Sequence, residues 1–156
     1  MAAKDSQIAF IQNKIMDISY AKFSTDLNPE FCLFNNVIKT LKSDSDGNIW
    51  FFTWCKGEYA KNINQEFFTC LDYYQKGRNS YLRITGKASI TETDTDLAYA
   101  QIAGNNTVLI KCKIIQAEYF EYEYQYKMPV RERIIKYISG LFNSNSHRIF
   151  YFSAVT

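Results

Sequence analysis

Residues 47–61 read GNIWFFTWCKGEYAK. Four aromatic side chains, Trp50, Phe51, Phe52 and Trp54, surround a single Thr53, and Lys56 and Gly57 follow at once. Successive side chains of a strand point to opposite faces, so an antiparallel strand with one wet face alternates apolar and polar residues. This stretch does not alternate. It is therefore expected to be a strand covered on both faces, by the protein's own core on one side and by something else on the other.

The neighbouring stretches set this strand in a sheet. Asp46-Gly47 is a hairpin signal that joins it to a preceding strand within residues 31–41, FCLFNNVIKTL. Residues 18–25, ISYAKFST, read as a first strand ended by Asn28-Pro29, and residues 66–74, EFFTCLDYY, as a fourth. The clearest alternation is YLRITGKASIT, residues 81–91: Leu82, Ile84, Ala88 and Ile90 share one face, and Arg83, Thr85, Lys87, Ser89 and Thr91 share the other. Gly86 falls on the apolar face, where a missing side chain admits a bend or a close approach. Residues 107–115 and 117–126 read as two further strands, the second with Phe120, Tyr122, Tyr124 and Tyr126 opposite Glu121, Glu123 and Gln125. Residues 147–155 close the chain as a strand.

Ile8, Ile11 and Ile15, with Met16 beside them, mark a short amphipathic helix before the first strand. Further helices are expected over residues 57–65, over 93–104, and from Pro129 onward, where Val130, Ile134, Ile138 and Leu141 recur at helical spacing. Six to seven antiparallel strands with short flanking helices point to a closed or partly closed barrel, mostly β or α+β in class. The 156 residues form one domain, with a helix and strand added at the C-terminus from about residue 127.

Composition narrows the function. A net charge of +2 is too small to call for a nucleic-acid partner, and the cations around Arg131 and Lys136 read as a solvated helix face. No apolar run approaches the ~20 residues of a membrane span. The N-terminus lacks the apolar core and cleavage site of a signal peptide, so a cytoplasmic protein is expected. Cys32, Cys55, Cys70 and Cys112 are scattered through apolar runs with no C-x-x-C pair, which reads as buried, reduced thiols and no metal site. His147 is the one histidine, too little for a nucleophilic triad, and Glu121 with Glu123 reads as the solvated side of a strand.

What remains is chemistry carried by a cofactor. A flavin brings its own reactive centre and asks the protein for phosphate-binding groups and a dry, flat slot. The opening stretch offers aromatic bulk, the Thr53 hydroxyl, Lys56, and the start of a helix, which favours an anion.

Residues 44–63, 66–73 and 81–93, taken together, resemble the FMN-binding split-barrel family related to pyridoxamine 5′-phosphate oxidase, in its general-stress-protein branch. Trp50-Phe51-Phe52-Thr53 and Tyr81 through Ile90 match that family's motifs, and the resemblance covers roughly residues 5–125. It implies a split β-barrel homodimer with FMN at the subunit interface, a flavin-dependent oxidoreductase whose small-molecule substrate the sequence does not identify. Carried over by position, Thr53 and either Lys56 or Lys61 would hold the phosphate, while Trp50, Phe51 and Phe52 would wall the ring. Asn35-Asn36-Val37 stands where the family has Arg-Pro-Met, so Asn36, with Val37 beside it, would take the place of a phosphate-binding arginine. An asparagine donates a hydrogen bond but no charge. That substitution motivates an alternative of another class: a non-catalytic dimer whose flavin site has decayed or takes a different ligand.

Overall fold

The computed structural model describes residues 2–27, 33, 36–55, 66–91, 107–122 and 146–152. Among these residues one helix, α1 (Ala2–Ile18), precedes seven strands: β1 (Tyr20–Thr25), β2 (Asn36–Ser43), β3 (Asn48–Trp54), β4 (Phe67–Tyr74), β5 (Ser80–Thr91), β6 (Thr107–Glu121) and β7 (Ser146–Tyr151). The strands lie in the order β3-β2-β1-β4-β5-β6-β7, and β3 also pairs with β6, which closes the first six into an antiparallel barrel. The mostly β barrel expected from the sequence is the fold found. The helices expected over 57–65, over 93–104 and from Pro129 lie outside the described residues.

The β2–β3 hairpin forms where Asp46-Gly47 announced it. Gly47 takes φ 78°, its N–H donates to the Asp44 carbonyl at 3.1 Å, and Asp44 Oδ1 accepts from the backbone N–H groups of Asp46 and Asn48 at 3.0 and 2.8 Å. Asn48 returns its amide to the same carboxylate, and Lys113 Nζ donates to the Asp46 carbonyl, tying the turn to β6.

β6 departs from the expectation of two strands. It runs unbroken for 15 residues, because Gln116 is no turn former and a bulge absorbs the irregularity. Across β5 the register passes from Thr85↔Gln116 to Gly86↔Ile114, leaving Ile115 as the extra residue. On its other edge β6 pairs with β3 through Lys113 and with β7 from Gln116. The backbone bonds at the change are Ile114 N–H to the Gly47 carbonyl, 2.9 Å, and Phe152 N–H to the Ile115 carbonyl, 2.7 Å. β7 thus occupies the edge of β6 that β3 is too short to cover.

The barrel interior holds Phe23, Ile38, Ile49, Phe51, Leu71, Tyr73, Leu82, Ile84, Ile110, Cys112 and Ala117, all nearly or fully buried. α1 covers one end, sending Ile8, Ile11, Ile15 and Ile18 into the same cluster, with Ile8 close to Gly47 and Asp17 facing Arg78 of the β4–β5 turn. The i, i+3, i+4 spacing predicted this face, yet the helix is longer than expected and Met16 points outward, 73% exposed. Ser19 ends the helix at φ 63°, its hydroxyl donating to the Met16 carbonyl at 2.9 Å. Among the described cysteines, Cys55 and Cys112 are fully buried, Cys70 is half-buried and none is in a disulfide. Burial pushes the Cys112 thiol up to about 12.

Candidate functional site

The doubly apolar stretch resolves into two faces. Ile49, Phe51 and Thr53 are buried on the inner side of β3, whereas Trp50 and Phe52 are half-buried on the outer side and Trp54 is exposed there. Phe51 packs against Phe23 inside the barrel, ring centres 5.2 Å apart, so it supports the strand from within and does not reach the outer face. Trp50 is flanked by its partners in register, Lys42 of β2 and Lys111 of β6, whose ammonium groups lie 4.8 and 5.5 Å from its ring centre. A cation over an aromatic face is attracted by the ring quadrupole, so this outer stripe is both aromatic and electropositive.

Two of the residues singled out for a phosphate meet. Thr53, near the C-terminal end of β3, and Asn36, the first residue of β2, lie at the end of the barrel away from α1. Asn36 Nδ2 donates to Thr53 Oγ1 at 3.1 Å, and Oγ1 lies 3.3 Å from Asn36 Oδ1 as a donor in return. Thr53 is only 3% exposed. Val37 is on the opposite face of β2, 71% exposed and in register with Lys22 of β1. Lys56 and Lys61 lie outside the described residues. The structure therefore brings Asn36 and Thr53 together, sets Trp50 and Phe52 on the outside of the same strand, and separates Phe51 from them.

In donor type this set suits a phosphoryl group: an amide N–H and a hydroxyl are acceptable phosphate donors. Both are neutral, however, and each is satisfied by the other, so an anion would have to open that pair and would gain no charge-assisted bond from it.

A second polar cluster escaped the sequence reading, because its members come from two strands. On the outer face of β4 and β5, Asp72 Oδ1 accepts from Arg83 Nε at 2.8 Å, from the Tyr81 hydroxyl and, at 3.7 Å, from the Cys70 thiol. Burial works to raise the Asp72 carboxyl, but the hydrogen bonds from Arg83 and Tyr81 outweigh it and hold it below the usual value. Burial, then the hydrogen bond to Asp72, pushes the Tyr81 phenol up; burial and the Asp72 charge do the same to the Cys70 thiol. These shifts keep the carboxylate ionised and the thiol protonated, the opposite of an activated nucleophile. The cluster is a structural clasp between strands.

His147 sits exposed on edge strand β7, its ring stacked on Phe120 at 4.1 Å and 13°. The alternation predicted for residues 117–126 is present in the described part, and Glu121 is exposed as expected of a solvated side chain. Ala117 and Tyr119 face inward opposite Ile84 and Leu82, while Phe120 lies on the outer face. Only the register with β5 decides which set is buried, and no single-strand pattern reveals it.

No protein-family model matches the sequence, and no curated protein matches it. Among solved structures, a protein assigned as general stress protein 26 from Jannaschia sp. CCS1 superposes with a TM-score of 0.63 at 14% identity, over 97% of this chain and 100% of that one. A general stress FMN/FAD-binding protein from Xanthomonas citri gives 0.55 at 14% identity, over 80% of this chain and 94% of its own. A Clostridium acetobutylicum protein related to general stress protein 26, of the pyridoxinephosphate oxidase family, gives 0.52 at 14%, over 82% and 97%. The chain has the barrel fold of these proteins, as the motifs around Trp50–Thr53 and Tyr81–Ile90 implied.

Proposed function

We propose that the chain is a cytoplasmic, homodimeric FMN-binding flavoprotein, a flavin-dependent oxidoreductase of the pyridoxamine 5′-phosphate oxidase-like kind. The observation that carries this reading is the Asn36–Thr53 pair at the end of β2 and β3, on the inner side of the strand whose outer face carries Trp50 and Phe52, on a fold shared with a protein described as FMN/FAD-binding. Bound FMN would supply the two-electron redox chemistry, leaving the chain to bind, orient and shield it. Thr53 Oγ1 and Asn36 Nδ2 would donate to the phosphate, and Lys56 or Lys61 would contribute the charge that Asn36 lacks. Trp50 and Phe52 would cover the ring and exclude water, with Phe51 fixing their strand from inside. The partner subunit would cover the rest of the outer face, including Trp54 and Val37.

The test is a flavin titration of the purified protein, followed by quenching of FMN fluorescence, with riboflavin as the phosphate-free control. Saturable binding at micromolar FMN is expected, with a Thr53→Val variant losing about tenfold for FMN and little for riboflavin. Absence of saturable FMN binding refutes the reading. Equal loss for both flavins refutes the phosphate role of Thr53.

A second reading has its own observation. Asn36 and Thr53 satisfy each other and carry no charge, which favours a non-catalytic dimer with a decayed flavin site or another ligand. A dimer by light scattering that takes up neither FMN nor riboflavin selects this reading over the first.

A further inference from the structure

The end of the barrel covered by α1 contains an open pocket of about 420 Å³. Lys14 and Asp17 of α1 line one side, Arg78 of the β4–β5 connection and Ser80 at the start of β5 another, and Tyr119 and Glu121 of β6 the rest. It lies at the opposite end of the barrel from Asn36 and Thr53, and its residues play no part in the flavin reading.

Tyr119 is 2% exposed, and its hydroxyl is buried without a hydrogen-bond partner among the described residues. Tyr73, the other fully buried tyrosine among the described residues, is satisfied by Thr40 at 2.7 Å. An unpaired buried hydroxyl is costly to a fold, so a molecule that supplies the missing partner is favoured at this position. The charged groups around it are also poorly matched by the protein itself. Lys14 Nζ rests over the rings of Phe10 and Tyr119, 5.4 and 5.0 Å from their centres, and makes no ion pair among the described residues. Arg78 reaches Asp17 only at 3.9 Å, with both side chains about half exposed. Glu121 makes no ion pair among the described residues either.

Among the described residues, two cations and two carboxylates around this pocket sum to no net charge. A phosphate or other polyanion would meet as much repulsion as attraction there. A ligand with one charge of each sign would find a partner for both. The volume is at the small end of the range for metabolite pockets. We propose that this pocket binds a small zwitterion of the amino-acid type. Its carboxylate lies against Lys14 and Arg78, its ammonium against Glu121 and Asp17, and the Tyr119 hydroxyl completes its polar contacts.

The experiment screens the twenty common L-amino acids at millimolar concentration against the full chain by saturation-transfer NMR, then measures the best by titration calorimetry. That amino acid is compared with its des-amino acid and its decarboxylated amine. Loss of either charged group is expected to weaken binding about tenfold or more. Lys14→Met, which keeps the stem on Phe10 and Tyr119, and Glu121→Gln should each do the same. Tyr119→Phe should lower affinity severalfold while leaving the chain folded, as checked by its circular dichroism. Failure of every amino acid to bind overturns the proposal. So does binding that is indifferent to Lys14→Met and Glu121→Gln, or equal binding of the amino acid and both truncated analogues. Flavin titration of the same variants should be unchanged, so the outcome here is independent of the flavin reading.

Discussion

Replacing Gly86 by alanine tests the closure of the barrel directly. Gly86 sits at the bulge where β5 meets β6, and a Cβ there would fall 2.6 Å from Cys112 Sγ, 3.1 Å from the Lys113 carbonyl carbon and closer still to the carbonyl oxygen. The sulfur can rotate away only within a core where Cys112 is fully buried. The carbonyl belongs to a backbone paired on both sides, with Lys113 opposite Lys87 of β5 and Asn48 of β3. Overpacking a core typically costs about 1–3 kcal/mol, and displacing a ladder carbonyl adds about 1 kcal/mol, so Gly86→Ala should destabilise by about 3 kcal/mol. With a urea slope of about 2 kcal/mol/M, the unfolding midpoint should fall by about 1.5 M. For a chain of this size the melting temperature should drop by about 6–12 °C.

Two companions isolate the cause. Gly77→Ala adds a methyl in open space at φ 91°, so its cost is backbone strain alone, about 1–2 kcal/mol. Gly86→Ala in a Cys112→Ala background removes the sulfur contact but leaves the carbonyl in place, so only part of the Gly86→Ala penalty should disappear. A Gly86→Ala protein within about 0.5 kcal/mol of the parent would refute the close-approach argument. Full recovery in the Cys112→Ala background would shift the blame from backbone to sulfur.

Other perturbations read other parts of the molecule. Asp72 has its carboxyl held below the unfolded value of 3.8, so its contribution is present above that pH and is lost as the pH falls through the folded value. Asp72→Asn should therefore lose about 1 kcal/mol at neutral pH, allowing for its partial exposure, and its urea stability should converge with the parent's as the pH falls through the folded value; curves that stay parallel contradict this. Tyr73→Phe and Thr40→Val each strand one partner of a 2.7 Å hydrogen bond, and a double-mutant cycle should return a coupling of about 1 kcal/mol rather than additivity. Asp44→Ala removes the acceptor for two backbone N–H groups and the Asn48 amide, so it should cost about 1–2 kcal/mol in thermal unfolding, with a neutral result arguing against the turn's dependence on that carboxylate. Brief alkylation at pH 8 with peptide mapping should leave Cys112 unlabelled in the native protein, since its thiol is fully buried and that burial pushes its pKa up to about 12.

The parts of the fold that were legible in the sequence are those that local chemistry settles. Asp46-Gly47 needs no distant partner to make a turn, and Ile8, Ile11 and Ile15 form one stripe whatever they pack against. Alternation from Leu82 to Ile90 fixes a two-faced strand, and Gly86 on its apolar face anticipated a close approach, though not that Lys113 and Cys112 would be what approaches. Register was not legible. The inward placing of Ala117 and Tyr119, the unbroken length of β6, and the handover of its edge from β3 to β7 all depend on pairings between residues far apart in the chain. The same limit hid the Asp72–Tyr81–Arg83 clasp and the pocket at Tyr119, since each joins side chains of elements that sequence treats separately.

The two-sided hydrophobicity of β3 now has one explained face and one open to a partner. Inside, Phe51 and Ile49 are fully buried, so their apolar character is accounted for by the barrel alone. Outside, Lys42 and Lys111 flank Trp50, which already gives that ring company, whereas Trp54 remains 38% exposed at the strand's end. A flavin or a subunit at that face must therefore displace the lysine side chains from Trp50 or use their charge. The second course is the cheaper one for a phosphorylated ligand, because a cation moved off a ring and onto an anion exchanges a weak attraction for a stronger, charge-assisted one. Lys42→Met and Lys111→Met consequently separate the two occupants: both substitutions should weaken FMN severalfold if the ligand uses that charge, and both should leave or strengthen self-association if only an apolar partner covers the strand. Unchanged FMN affinity in both variants, alongside intact binding in the parent, would place the phosphate entirely at the Asn36–Thr53 end.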